Sequence, residues 1–197
     1  MKANAFERFT GSCAIAAAIG GIAYGVAFVV LGNPLLYSVL LMLNGLLALA
    51  ILVALYSYTR QAEESWALLA LLLGTVGSLG SVAHGGYDLA NAIHPPATNT
   101  LSLMDLPSQI DARGLLTFGF MGMAILIIAA ELGRSARFPR GLVSVGYALG
   151  VIMVIIYLGR LIILDPTNII VRIALFAGVV INTIWYGGLG IVLRRSI

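Results

Sequence analysis

Charge is scarce in this chain. Only 10% of its 197 residues are Asp, Glu, Lys or Arg, against roughly 25% in a soluble domain, and 60% are hydrophobic. Such a surface suits lipid rather than water. Lysine is scarcer still. Lys2 is the only one, and without an intramembrane lysine retinal has no Schiff-base partner, which excludes a rhodopsin-like pigment. The single cysteine, Cys13, has no second thiol for an intramolecular disulfide or a CxxC redox pair and reads as a small buried hydrophobe.

Histidine numbers two, His84 and His94. On one continuous helix they would stand about 15 Å apart at 1.5 Å per residue, which argues against a haem held by both. An intramembrane zinc hydrolase wants three ligands and an open position; the two histidines with Asp88 or Asp111 barely supply them, and no HxxxH pair is present. A GxSG segment and a Walker-type loop are also missing, so neither a rhomboid-type serine nor nucleotide hydrolysis is indicated. No cofactor and no metal site is predicted, and no catalytic residue can be named.

What the chain does contain is six long apolar segments. About 20 consecutive apolar residues cross a bilayer core as a helix, and the pattern predicts spans at about 10–32, 35–57, 65–93, 113–132, 141–164 and 169–193. The first of them, Gly11 to Leu31, is longer than a signal-peptide core and is followed by no A-x-A site, so it reads as a retained helix. Four connections are short. The fifth, His94 to Ala112, is long and carries Pro95, Pro96 and Pro107 with Asp105 and Asp111. Short connections imply antiparallel neighbours. The expected architecture is all-α: one domain over residues 1–197, an integral membrane bundle of six transmembrane helices.

The net charge of +3 and the pI near 9.2 do not indicate nucleic acid, because the basic residues stand in small groups at helix ends. Lys2, Arg8, Arg60, Arg134, Arg137, Arg140, Arg194 and Arg195 all fall on one side of a six-span topology. By the positive-inside rule that side is cytoplasmic and carries both termini. Arg113, Arg160 and Arg172 fall on the outer side, together with His84, Asp88, His94, Asp105, Asp111 and Asp165. Arginines there run against the insertion bias, which points to ion pairing. Asp88 lies about 13 Å and His84 roughly 8 Å from the midpoint of the third helix, so His84 is the ionisable group that interfacial water reaches least.

Gly74, Gly77, Ser78, Ser81, Gly85 and Asp88 recur at three- and four-residue spacing on the third helix. Small residues let helices approach closely in lipid, so this helix is expected at the centre of the bundle, and Gly21 with Gly25 gives the first helix a similar contact. His84 and Asp88 are one turn apart and able to hydrogen-bond, with Asn91 a turn further. Intramembrane ionisable residues are candidate functional groups; the alternative is a polar pair that only ties helices together. Tyr157 and Arg160, three residues apart, either face that cluster or divide between packing and snorkelling. Asn44 and Asn182 read as interhelical hydrogen-bond donors, and Trp66, Trp185 and Tyr186 as interfacial anchors or core packing.

The stretches His84-Gly-Gly-Tyr-Asp-Leu-Ala-Asn91, Leu106-Pro-Ser-Gln-Ile-Asp-Ala-Arg-Gly-Leu-Leu-Thr-Phe118, Tyr157-Leu-Gly-Arg-Leu and Leu164-Asp-Pro-Thr-Asn168 resemble those of small uncharacterised bacterial six-helix membrane proteins. The resemblance runs through most of the chain. It implies the same fold and a bacterial inner-membrane location, and it carries no activity and no catalytic residue with it.

Together these features suggest an outward-facing polar site of His84, Asp88, Asn91, Asp111, Arg113, Tyr157, Arg160 and Arg172, covered by the long outer connection, that binds or translocates a small ligand or protons. The competing reading is a non-catalytic accessory subunit of a larger membrane complex, with other subunits or a second copy as partners besides lipid. A third, an intramembrane metal-dependent enzyme, lacks a complete ligand set.

Overall fold

A computed structural model describes residues 5–95, 114–163 and 168–195. Six helices in it are long and apolar enough to cross a membrane, and the described residues contain no strand. In lipid only a structure that satisfies every backbone N–H and C=O internally is viable, and helices do so within each segment. The first, α1, runs from Ala5 to Gly25 and continues as a π-helical turn over Val26–Val30. Then come α2 (Pro34–Thr59), α3 (Glu64–Ile93), α4 (Met121–Gly133, entered through a π-helical segment Leu115–Phe120), α5 (Arg140–Ile163) and α6 (Ile169–Arg194).

The boundaries follow local chemistry. Gly32, at φ +56°, takes the left-handed conformation that ends the first segment. Asn33 then caps α2 by accepting a hydrogen bond from the Leu36 amide at 3.1 Å, with Pro34 in the first helical turn, where its missing N–H costs nothing. Asn168 caps α6 the same way, accepting from the Ile170 amide at 2.9 Å. Pro95 and Pro139 also stand at helix ends, so no described span is interrupted by proline.

Each helix packs on its neighbours in the sequence, and α6 closes the ring onto α1. Glycines set the spacing. A Cβ added at Gly85 would lie 2.6 Å from the Ser38 carbonyl oxygen of α2, and one at Gly77 would lie 2.9 Å from the Met121 amide of α4, so backbone touches backbone on both flanks of α3. The Gly21–Gly25 pair of α1 faces Asn182 and Val179 of α6, as its spacing suggests.

The expectation that α3 is central does not hold. In its most apolar stretch α3 is 33% buried, and α4 is 56% buried. The small residues of α3 record tight contact with two neighbours, which a member of a ring needs as much as a central helix does. The short α4 leans inward instead, contacting α2 across the ring. Asn44 and Asn182 are corrected as well. Asn44 packs on Gly20 of α1 and Asn182 on Gly21; the amides fill space above consecutive glycines, and no hydrogen bond from either occurs among the described residues.

The interior is divided along the membrane normal. The contiguous apolar core, with Cys13, Ile51, Leu55, Ile125, Leu132, Leu149, Trp185 and Leu189 among its members, occupies the half nearer the termini. Trp185 is 1% exposed and belongs to this core, whereas Trp66 is 51% exposed, so only the second suits an interfacial position.

Candidate functional site

The half of the interior away from the termini is polar and aromatic. On α3, where residues four apart stack one turn above another, His84 Nε2 lies 3.5 Å from Asp88 Oδ2, with side chains 15% and 8% exposed. Asp88 is the single buried acid of that half among the described residues. Facing it from α1 is Tyr24, which lies within electrostatic range of Asp88, of Tyr37 on α2 and of Arg160 on α5. Tyr24 stacks on Phe28 at 5.8 Å and meets Tyr37 edge-on at 6.4 Å; Phe28 and Tyr37 meet edge-on at 5.2 Å. Tyr24 and Tyr37, both half-buried, border the site, and Phe28, which joins them, is exposed.

The other border is the π-helical entry to α4. The Arg160 guanidinium sits 5.9 Å from the centre of the Phe118 ring, and Tyr157 packs on Gly119, where an added Cβ would come within 3.3 Å of the phenol ring. A π-turn offsets the side chains that follow it, and such turns are frequent at functional sites. Here it presents Phe118 and Gly119 to α5. Tyr157 and Arg160 thus share a wall, the tyrosine packing on backbone and the arginine reaching the polar centre.

Of the residues singled out in the sequence, His84, Asp88, Tyr157 and Arg160 are therefore brought to one region. Asn91 is half-buried one turn beyond Asp88, and His94 is exposed at the end of α3. Arg172 is exposed in the first turn of α6. Asp111 and Arg113 lie outside the described residues, as do Asp105, Asp165 and the expected cover from residue 96 onward. Among the described residues no three His, Cys, Asp or Glu side chains come together as a metal site. Tyr24, Tyr37 and Phe118 were not anticipated. In an apolar run an aromatic residue carries no mark of facing inward, and for Phe118 the direction is set by a π-helical segment that leaves no sequence signature.

A second polar network at the opposite end was also missed. Glu7 of α1 accepts a hydrogen bond from the Tyr58 hydroxyl of α2 and lies 3.8 Å from Arg137 Nη2, a residue of the α4–α5 connection. Glu131, 3% exposed, pairs with Arg134 at 3.0 Å. Arg134 and Arg137, orientation signals in the sequence, thus also have acidic partners in the fold.

Chemically, the first cluster combines a buried carboxylate, an imidazole and a guanidinium with two phenols on four helices. It can hold or pass a proton between His84 and Asp88, and it presents both signs of charge to a small polar molecule. Compared with protein-family models, curated proteins and solved structures, the chain matches none of them.

Proposed function

We propose that this multi-pass membrane protein takes up protons, or a small polar ligand in exchange with them, at the His84–Asp88–Arg160 cluster, from the side of the membrane opposite its termini. The basic side, with its eight Lys and Arg residues, is the cytoplasmic one under the insertion rule, and a bacterial inner membrane is the location that the resemblance implies. Surrounding lipid is the partner that the exposed apolar faces require.

The observation that carries this reading is Asp88, 8% exposed within a membrane-spanning helix and in contact range of His84. Burying an ionisable pair in a bilayer costs several kcal/mol unless it is compensated. A contact serving only to hold α3 in place would be at least as stable if apolar, as it is at Gly74 against Leu52. A carboxylate within reach of an imidazole, with Tyr24 in electrostatic range of both Asp88 and Arg160, suits a site whose protonation changes. The test is proton flux in proteoliposomes carrying an internal pH dye. Under an imposed gradient the wild type and His94→Gln should conduct, and His84→Gln and Asp88→Asn should not. Equal flux in all four would sink the proposal.

A further inference from the structure

The end of the bundle that bears both termini is closed by a clasp of Glu7, Tyr58 and Arg137, and we infer that this clasp is a gate that opens the interior to that side. The inference rests on the proposed uptake site in the opposite half: such a site needs a closure on its far side, and the clasp and the apolar core beneath it occupy that place.

Three observations support it. First, the clasp crosses the ring as well as joining the neighbours α1 and α2. Glu7 and Tyr58 belong to α1 and α2, and Arg137 belongs to the connection between α4 and α5. The Tyr58 hydroxyl donates to Glu7, 51 residues away in sequence, Arg137 Nη2 lies 3.8 Å from the other Glu7 oxygen, and the guanidinium stands 4.4 Å above the Tyr58 ring. Phe138, 3% exposed, meets Tyr58 edge-on at 5.6 Å and joins this strap to the apolar core.

Second, the chemistry suits separation. For permanent closure an apolar contact of equal volume would serve as well or better, because partly buried ions lose hydration that their pairing only offsets. The Glu7 and Arg137 side chains keep 18% and 23% exposure, so both halves can return to water when they part. Third, Arg137 is placed to move. It lies outside any helix, between Gly133 at the end of α4 and Pro139 just before α5, so the strap can swing while both helices stay intact. The Glu131–Arg134 pair, three residues apart at the end of one helix, spans nothing.

Cys13 provides the readout. It is the only cysteine, is 6% exposed, and belongs to the apolar core on the same helix as Glu7. Its rate of alkylation by N-ethylmaleimide is to be measured in the full-length protein in liposomes, with no ligand required. The clasp variants Glu7→Gln, Arg137→Gln and Tyr58→Phe should react about tenfold faster than wild type, the shift in an open–closed equilibrium expected from losing one charge-assisted hydrogen bond. Arg134→Gln, which touches only the local pair, should react at the wild-type rate. The double exchange Glu7→Arg with Arg137→Glu should restore protection.

Tyr58→Phe keeps the ring and its contact with Phe138, so it remains informative if a charge variant fails to fold. Unchanged Cys13 reactivity in folded Tyr58→Phe and Arg137→Gln proteins would overturn the gate, as would equal acceleration by Arg134→Gln. Proton flux lost in His84→Gln with Cys13 unaffected in the clasp variants would reject the gate and leave the uptake site standing. The reverse pattern would reject the uptake site.

Discussion

The Trp185 indole rests on Gly146: a Cβ added to the glycine would lie 2.5 Å from Cζ3 and 2.7 Å from Cη2. The largest side chain of the apolar core, 1% exposed, is accommodated by a neighbouring helix that offers no side chain at that level. Gly146→Val should therefore lower stability by about 1–3 kcal/mol, the usual cost of overpacking. A thermal melt of the detergent-solubilised protein measures it. An unchanged melting temperature would mean that the indole has room to move.

Gly85 has less freedom still, since the atoms that its Cβ would meet at 2.6 and 2.9 Å are α2 backbone, which cannot rotate away. Gly85→Leu should separate α2 from α3 and abolish recovery of monodisperse protein, whereas Gly86→Leu, whose Cβ would approach only the flexible end of Met42 at 4.0 Å, should be recovered. Size-exclusion profiles of the two variants decide the matter.

Orientation is tested with cysteines placed at exposed positions in a Cys13→Ala background. An impermeant maleimide applied to intact cells should modify His94→Cys and spare Ala136→Cys, as the insertion rule predicts from the eight basic residues on the second side against three on the first. The opposite pattern would invert the membrane and make the His84–Asp88 end of the bundle face the cytoplasm.

Arg160 links the π-helical wall to the polar centre through Phe118 and Tyr24. Arg160→Gln removes the positive charge and should reduce proton flux about tenfold, on the scale of one lost interaction to a charged group. The exposed Arg172→Gln should leave flux near the wild-type level. If Arg172→Gln were the more damaging of the two, the site would have to extend to the start of α6.

Much of the fold is legible in the sequence because lipid imposes one rule on every segment: a span must be long, apolar and helical. Gly32-Asn33-Pro34 mark a helix boundary by turn and cap chemistry that acts within a few residues, so the expected spans match the observed ones to within a few residues at nearly all ends. The pairing of His84 with Asp88 was legible for the same reason, being one turn of one helix. What escaped was set between helices. The ring order, the inward lean of α4 and the packing of Asn44 and Asn182 on Gly20 and Gly21 depend on how six faces share contacts, and the small residues of α3 announce closeness without saying to what. Glu7, Tyr58 and Arg137 meet across the bundle from three separate segments, with no periodicity to connect them, and the insertion rule already accounted for the arginine.

Whether Asp88 exchanges its proton within the membrane is measured most directly by infrared difference spectroscopy of the protein in lipid. As pH is stepped, a protonated-carboxyl band should rise and fall with pH, disappear in Asp88→Asn, shift in His84→Gln and persist in His94→Gln. A spectrum without any titrating carboxyl band, or one whose band survives Asp88→Asn unchanged, would contradict that exchange.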